Sequence, residues 1–354
     1  MTGEPPTVTF ISPWNRNGGL ATYSRALVPK LRNSCDVAVV PWDNEPIHLR
    51  GSGIALLNRT LLSNLFRRDV VHVQYAFGRY LLSFPLLLGI CILLRTRVVM
   101  TQHERFDNLP APTLLFLYHQ LLYCFVDTVI VHTDGRKQLI WKRHHPKVTV
   151  IEHGVVARDN VDRHPREIDT ILLPGGIRPI KGHEVVISAL PSIENVELRI
   201  VGGIGNEEYF REIRSIADQL GVNDRIEWVT EFVPEETLFE AFQEADVVVL
   251  AYEHHTSMSG ILSHTLSWHV PAIVTDCPAF RHMIECEDAF LTERDGSAVA
   301  DRIRKFDSER EVQRRVIDAF AQTSRQFSWE SVAGRTTTVY AGRSQNGENQ
   351  ITSS

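Results

Sequence analysis

The chain has 354 residues, 43% of them hydrophobic, which is enough to build two α/β domains with substantial cores. Its net charge of −6 and isoelectric point near 6.2 argue against nucleic-acid binders, which usually carry a basic surface. Five cysteines without a C-x-x-C pair indicate reduced thiols in a cytosolic protein, and they argue against a disulfide framework or a zinc site.

In the first half, short apolar strands alternate with helices, which predicts a doubly wound parallel sheet. The segment 69–74 (DVVHVQ) is predominantly apolar, as is typical of a strand covered on both faces. The predicted strands are 7–12, 37–40, 69–74, 97–101, 128–131 and 148–151. The predicted helices are 20–31, 56–66, 80–94, 114–125 and 135–143.

The second half repeats this order and predicts a second sheet of the same kind. Its strands are predicted at 170–173, 197–201, 226–229, 246–250 and 272–275. Its helices are predicted at 183–190, 207–220, 234–244, 260–267 and 298–306. The pattern divides the chain into domains over 1–155 and 169–322 with a polar linker between them, and the tail 343–354 is expected to be disordered. Ligands of such α/β domains bind at the carboxyl ends of the strands, so a cleft between the two sheets is expected to hold the site.

The segment 172–182 (LLPGGIRPIKG) is the most informative motif of the chain. An apolar strand enters the Gly175–Gly176 turn, and Arg178 and Lys181 follow it. Glycine lets the backbone approach a ligand closely, Arg can span two phosphate oxygens, and Lys supplies a point charge. The motif therefore predicts a diphosphate site that includes Gly176, with a surface loop carrying two solvated cations as the alternative.

This segment resembles the G-R-x-x-x-x-K-G donor-phosphate signature of retaining GT-B glycosyltransferases, family 4-like, also called glycosyl transferases group 1. The resemblance implies two Rossmann-like domains that face each other across a cleft. It also implies that the last helix, which begins F-S-W-E and lies within 323–342, crosses back to the N-terminal domain. The segment 226–233 resembles the strand and loop whose backbone reads the nucleobase edge in that family. The corresponding residues here are Glu231, Phe232 and Val233.

Gly18 and Gly19 separate the first strand from the first helix, where free backbone N–H groups and the positive end of the helix dipole attract anions. The pattern is not G-x-G-x-x-G, so a dinucleotide cofactor has little support. The loop resembles the family's glycine loop, which faces the donor diphosphate and the acceptor. His103 ends a predicted strand, and the resemblance implies that it lies near the transferred sugar. His153 is interpreted as structural or as lining the cleft.

The segment 256–266 (TSMSGILSHTL) contains a helix start, with Ser259 as the N-cap and Gly260 and Ile261 opening the helix. Its free N–H groups predict an anion site facing the two cations. The segment resembles the family's E-x-x-x-x-x-x-x-E region, but the two glutamate positions fall on Thr256 and His264. Thr256, Ser257 or the nearby Glu253 could meet a sugar hydroxyl, and a neutral His264 could bind the ribose.

The predicted helices 80–94 and 114–125 are strongly apolar, but both are shorter than the ~18 residues that span a bilayer. Two interpretations stay open. Either they are buried against the sheet, or they form an interfacial patch near Arg67 and Arg68 that suits a lipid-linked acceptor. The N-terminus has no signal-peptide pattern, which together with the cysteines predicts a cytoplasmic location, with membrane contact at its inner face under the second interpretation.

The predicted function is transfer of a sugar, with retention and without a metal, from a nucleotide-diphosphate sugar to a glycan, lipid-linked or small-molecule acceptor. Arg178, Lys181 and His103 are the predicted catalytic residues, and no cofactor or nucleic-acid partner is expected. Two alternatives remain. A sugar-nucleotide 2-epimerase would need carboxylates that the motif lacks. A silent nucleotide-binding scaffold is suggested by His264 in place of glutamate.

Overall fold

The structure is a computed structural model that describes residues 4–15, 18–41, 68–75, 83–103, 112–231, 233–253 and 259–342. These residues form two compact units. The first unit runs up to Gly154 and resumes at Trp329, and the second unit is Val155–Ser328. The predicted helix 56–66 and the tail from Arg343 lie outside the described residues.

The strands of the described part are β1 (Thr7–Ser12), β2 (Asp36–Pro41), β3 (Val70–Tyr75), β4 (Arg97–Gln102), β5 (Thr128–Val131), β6 (Val148–Val150), β7 (Thr170–Pro174), β8 (Glu197–Val201), β9 (Ile226–Val229), β10 (Val247–Leu250) and β11 (Ala272–Val274). The α-helices are α1 (Gly19–Leu31), α2 (Ser83–Leu94), α3 (Pro112–Leu122), α4 (Asp134–Gln138), α5 (His183–Ala189), α6 (Glu207–Gln219), α7 (Glu235–Glu244), α8 (Gly260–Ser267), α9 (Pro278–Arg281), α10 (Gly296–Ser308), α11 (Arg310–Gln326) and α12 (Trp329–Tyr340).

The first unit is built on a parallel sheet with the strand order β2-β1-β3-β4-β5-β6. Successive strand residues point to opposite faces, so Val71 and Val73 enter one core while Val70 enters the other. Helices α2 and α3 cover the first of these faces, and α1 and α12 cover the second. Since both faces are covered, the strands are predominantly apolar, as the sequence predicted.

The second unit has a five-stranded parallel sheet with the order β11-β10-β7-β8-β9 and a single large core. The prediction of two doubly wound parallel sheets is therefore confirmed. The stretch predicted as a linker, 155–169, clusters with this unit. Within it, Arg163 donates hydrogen bonds to the carbonyls of Phe242 and Ala245, and Arg166 pairs with Asp246.

Two helix predictions differ from the structure. The predicted helix 135–143 is the short α4 followed by a 3-10 turn over Lys142–Lys147, which contains Pro146 and so cannot complete α-helical bonding. Helix α11 was not predicted, although Val312, Val316 and Phe320 recur along it with helical spacing and are buried. Within the described ranges, no helix combines the length and the apolar character needed to cross a bilayer.

Candidate active site

Two glycine-rich loops lie side by side at the carboxyl ends of β7 and β8. The N–H of Gly175 donates to the carbonyl of Val201 at 2.8 Å, and the N–H of Ile177 donates to the carbonyl of Gly203 at 3.0 Å. A Cβ atom on Gly202, whose φ is 157°, would lie 2.3 Å from the carbonyl oxygen of Gly175. The two loops can pack this closely only because side chains are absent at the contact.

Arg178 follows the first of these loops, and its side chain lies along the second. A Cβ atom on Gly205 would come within 2.5 Å of Nε of Arg178, so the absence of a side chain at Gly205 leaves room for the guanidinium chain in this position. Arg178 is exposed, and no carboxylate of the described residues forms an ion pair with it. Its charge is therefore available to a ligand.

Lys181 ends a short 3-10 turn over Pro179–Lys181, directly before α5. Its Nζ lies 3.7 Å from the centroid of the Tyr252 ring, a cation–π contact. Burial lowers the pKa of Lys181 to about 8, and the nearby charge of Arg178 adds to this effect. Among the residues that the structure describes, no carboxylate neutralises this ammonium group. A desolvated cation without a counter-ion is a favourable place for a phosphate.

A network of hydrogen bonds holds the turn of Lys181 against the end of β10. Gly182 has φ 70°, and a Cβ atom on it would lie 2.0 Å from the carbonyl oxygen of Ala251. The same carbonyl accepts a hydrogen bond from Nε of Arg294 at 2.9 Å, and Nη2 of Arg294 pairs with Glu184 at 2.9 Å. Tyr209 donates its hydroxyl to Glu184 as well. The position of Lys181 is thus determined by packing around Gly182 and not by its own contacts alone.

Helix α8 begins next to these loops. The Ser259 hydroxyl caps it by accepting from the N–H of Leu262 at 3.4 Å, and it lies 3.5 Å from the hydroxyl of Tyr252. Gly260 is exposed, and no atom of the described residues lies within 4 Å of a Cβ position on it. The side chain of Ile261 lies 3.2 Å from the position of a Cβ on Gly175. The structure thus brings together six predicted residues, which are Gly176, Arg178, Lys181, Ser259, Gly260 and Ile261.

His264 lies further along α8 and packs against α7. Its ring centroid is 5.5 Å from that of Phe239 and 5.9 Å from that of Phe242. Burial lowers the pKa of His264, and the guanidinium of Arg158 lowers it further, so the imidazole is neutral at pH 7. The ring has packing partners that the sequence did not reveal. Its predicted contact with a ribose stays a prediction.

The other predicted residues of the second unit belong to the segments after β9 and β10. Glu231 is exposed and Val233 is partly buried against the core, both in the segment after β9. Phe232, Thr256 and Ser257 lie outside the described residues.

In the first unit, His103 directly follows β4 and lies in a group of polar aromatic residues. Its ring is 4.9 Å from that of Tyr23 on α1 and 4.8 Å from that of His132. Nε2 of His103 is 2.6 Å from Oε1 of Gln74, and Nδ1 is 3.2 Å from Nε2 of His132. Burial lowers the pKa of His103 well below its usual value, and the neighbouring imidazoles of His132 and His153 lower it further. The ring is neutral at pH 7 and is held at both nitrogens.

The hydrogen bond between His132 and the carbonyl of Ile151 determines which ring nitrogens in this group carry protons. Nδ1 of His132 must donate to the carbonyl of Ile151 at 2.8 Å, so a neutral His132 presents an unprotonated Nε2 to His103. His103 then donates from Nδ1, and its Nε2 must accept, which requires the NH₂ group of Gln74 to face it. A direct hydrogen bond from His103 to a sugar would therefore displace Gln74 or His132.

Gly18 is the N-cap of α1 and Gly19 its first residue, and among the described residues no atom lies within 4 Å of a Cβ position on either. This is compatible with a loop that faces a ligand. His153 packs its ring 5.1 Å from that of Tyr23 and 5.4 Å from that of Trp329. These contacts favour the structural interpretation of His153.

Residues 168–307, which lie within the second unit, match the family model described as Glycosyl transferases group 1. The chain is a glycosyltransferase. The matched stretch contains both glycine loops, Arg178, Lys181 and the start of α8. No curated protein sequence matches the chain.

Solved structures show that this glycosyltransferase has the GT-B fold. A glycosyltransferase from Rickettsia africae is 14% identical with a TM-score of 0.74, and the match covers 96% of this chain and 99% of that one. HepE of Anabaena in complex with UDP and glucose is 13% identical with a TM-score of 0.69, covering 95% and 100%. The apo form of the lipopolysaccharide outer core galactosyltransferase WaaB is 13% identical with a TM-score of 0.69, covering 95% and 99%.

Four residues around the predicted positions of the glycosyltransferase were not identified from the sequence. They are Gln74, His132, Gly205 and Tyr252. His132 follows β5 just as His103 follows β4, and Tyr252 comes two residues after β10. A search for polar or aromatic residues at the carboxyl ends of all parallel strands would have found both. Within the described ranges, no three His, Cys, Asp or Glu side chains are grouped as a metal site would need.

Proposed function

We propose that this glycosyltransferase transfers a sugar from a nucleotide-diphosphate sugar to its acceptor with retention of configuration and without a metal ion. The observation that carries the proposal is the desolvated ammonium of Lys181, which lies beside two glycine-rich loops with Arg178 next to it. The complex of HepE with UDP-glucose makes a uridine diphosphate sugar the first donor to test.

Departure of the nucleotide breaks the bond between the anomeric carbon and the phosphate oxygen, and negative charge develops on the β-phosphate. Arg178 and Lys181 supply preorganised positive charge there, and the N–H groups at the start of α8 add to it. The acceptor hydroxyl attacks from the face that the phosphate leaves. It gives its proton to a phosphate oxygen of the leaving group, so the mechanism needs no separate general base.

We further propose a carbohydrate or lipid-linked acceptor, in line with the galactosyltransferase activity named for WaaB. We also propose a cytoplasmic location with contact to a membrane surface, and the apolar side chains that α2 and α3 of the first unit expose support the membrane contact.

The test combines isothermal titration with a panel of nucleoside diphosphates and a transfer assay in which NMR reports the anomeric configuration of the product. Tight binding of one nucleotide together with a product of retained configuration is expected. Binding without turnover across a wide panel of donors and acceptors would leave a nucleotide-binding scaffold. An inverted product would refute retention.

Metal removal is expected to leave activity unchanged, because two protein cations and the start of α8 meet the diphosphate without a bridging ion. The measurement is the transfer rate in excess EDTA, compared with the rate in added Mg²⁺ or Mn²⁺. Loss of turnover in EDTA that returns with a divalent ion would refute metal independence.

Nucleotide affinity is expected to fall about tenfold between pH 7 and pH 9, because Lys181, with its pKa near 8, loses its proton over this range. The measurement is titration calorimetry with a nucleoside diphosphate at both values. Lys181→Arg is the matched control, since an arginine keeps its charge throughout and should flatten the profile. An equal pH dependence in both proteins would place Lys181 away from the phosphate.

Replacing His264 with alanine is expected to weaken nucleoside-diphosphate binding by about 1–2 kcal/mol, the range for losing one hydrogen bond. His264→Glu, which restores the family's usual residue, should keep much of the affinity. The contacts with Phe239 and Phe242 also predict a lower melting temperature for the alanine variant. Unchanged affinity in the folded fraction would show that the ring only packs against α7.

A further inference from the structure

Helices α2 and α3 of the first unit each bury one face in the sheet and expose another that is also apolar. On α2 the exposed side chains include Leu86, Ile92 and Leu93, the last of them 84% exposed. On α3 and in the turn that follows it, the exposed apolar side chains include Leu114, Leu117, Leu121 and Phe125. Neither helix contains Lys, Arg, Asp or Glu. A surface helix normally carries polar side chains on its outer face, and these two helices carry apolar ones there instead.

The two helices cover the same face of the sheet. The Tyr75 ring of β3 contacts Phe84 of α2 at 5.1 Å and His119 of α3 at 5.3 Å. Where the helices end, Ile92 and Phe125 line one cavity of about 200 Å³. The exposed apolar side chains therefore belong to one surface and not to two separate places.

The segment after β5 extends this surface. Leu139 and Trp141 are exposed, and the Trp141 ring lies 6.0 Å from that of Phe116 on α3. The backbone N–H of Trp141 donates to Oε1 of Gln120 on α3 at 3.1 Å, and the guanidinium of Arg143 lies 4.2 Å from the centroid of the Trp141 ring. Together these residues place an aromatic side chain and a cation at the edge of the apolar surface.

The apolar face of the first unit is defined here as nine exposed residues, which are Leu86, Ile92, Leu93, Leu114, Leu117, Leu121, Phe125, Leu139 and Trp141. They make up nine of the twelve large hydrophobic residues that are exposed in the described part of the chain. Single exposed apolar residues are ordinary, but such a concentration on one side of one unit marks an interaction surface.

The charge around this face is opposite to that of the whole chain. Residues 83–103 and 112–147 contain seven Lys and Arg residues against two Asp residues, in a chain whose net charge is −6. Arg95, Lys142 and Arg143 are exposed among them. The sequence had pointed to Arg67 and Arg68 instead. Arg68 forms an ion pair with Asp36, and Arg67 lies outside the described residues.

We propose that the apolar face of the first unit docks on an anionic lipid bilayer. Its leucines and phenylalanine would enter the interface, Trp141 would lie at headgroup level, and Arg95, Lys142 and Arg143 would meet the anionic headgroups. A second copy of the chain fits less well, because a symmetric contact would bring the same excess of positive charge together. The proposal deepens the membrane contact proposed above by naming its surface and the lipid charge that it meets, and it does not depend on the transfer reaction.

The test is sedimentation of the full chain with vesicles of phosphatidylcholine alone or mixed with phosphatidylglycerol, without any nucleotide. Wild-type protein is expected to bind the mixed vesicles and to be released by high salt. The double variant Leu93→Asp/Leu117→Asp should bind about tenfold less or weaker, because it removes inserted side chains and adds repelled carboxylates. The double variant Lys142→Glu/Arg143→Glu should lose the preference for anionic vesicles.

Leu220→Asp is the matched control, since Leu220 is an exposed leucine of the second unit, and it should bind vesicles like wild type. Circular dichroism and the melting temperature of each variant check folding without any nucleotide, so this result is separate from the transfer proposal. Wild-type protein that ignores anionic vesicles would overturn the inference. So would a stable dimer in solution that Leu93→Asp/Leu117→Asp dissociates, because the face would then be covered by a second copy.

Discussion

Removing either cation beside the glycine loops is expected to slow sugar transfer by about 2–4 kcal/mol of transition-state stabilisation, or ~30- to 1000-fold. Arg178→Ala and Lys181→Ala each delete one preorganised charge at the place where the leaving diphosphate becomes more negative. Because Lys181 is desolvated against the Tyr252 ring, its charge acts in a lower dielectric than that of exposed Arg178. The lysine variant should therefore show the larger loss.

Steady-state kinetics with the best donor give the effect on both kcat and KM. The loss should appear mainly in kcat, since the interaction strengthens as charge develops. Arg211→Ala is the control for deleting an exposed arginine of the same unit, and it should leave both constants unchanged. Kinetics like those of wild type in both cation variants would refute the assignment of the phosphate site.

Gly182→Ala is expected to lower the free energy of unfolding by about 2–5 kcal/mol. An alanine in the left-handed conformation costs about 1–2 kcal/mol, and forcing its Cβ against the carbonyl of Ala251, 2.0 Å away, adds about 1–3 kcal/mol. The structure can relieve that contact only by moving the turn that carries Lys181 or the end of β10. Transfer activity should therefore fall in the folded protein as well.

Gly221→Ala separates the two costs. Gly221 has nearly the same backbone conformation, with φ 66°, but in the part of the chain that the structure describes no atom lies within 4 Å of its Cβ position. This variant should lose only the backbone contribution, about 1–2 kcal/mol, and should keep its activity. Urea denaturation followed by circular dichroism measures both variants. Equal losses in the two would mean that contact with Ala251 contributes nothing.

Much of the fold follows from local patterns. Apolar strands such as β3, which alternate with helices, are typical of parallel sheets covered on both faces, and both sheets have that form. The match to group 1 glycosyl transferases, over 168–307, confirms the enzyme class that the Gly-Arg-Lys motif indicated. The boundaries were less predictable. Helix α11 carries a helical spacing of buried residues that the prediction missed, whereas the 3-10 turn at Lys142–Lys147 depends on Pro146 more than on periodicity.

Some features of the candidate site are also visible in the local sequence, and others depend on contacts between distant residues. The spacing of Gly176, Arg178 and Lys181 is visible in eleven consecutive residues, so the sequence by itself determined which cations follow the glycine turn. Tyr252 beneath Lys181 is 71 positions away in the chain, and no local pattern connects them. Likewise, the space that Gly205 leaves for Arg178 appears only when β7 and β8 are paired.

For the apolar helices α2 and α3, the sequence determined the composition but not which face of each helix is buried. Composition alone determined that α2 and α3 are apolar and too short to span a bilayer, and it left both burial and interfacial contact open. A helix that is apolar on every side has no periodic signal to say which face enters the core. Only the tertiary structure decided that Phe84, Leu87 and Leu122 face the sheet while Leu93 and Leu117 face outward. The physical reason is that a sheet can cover only one face of a helix, whatever residues the other face carries.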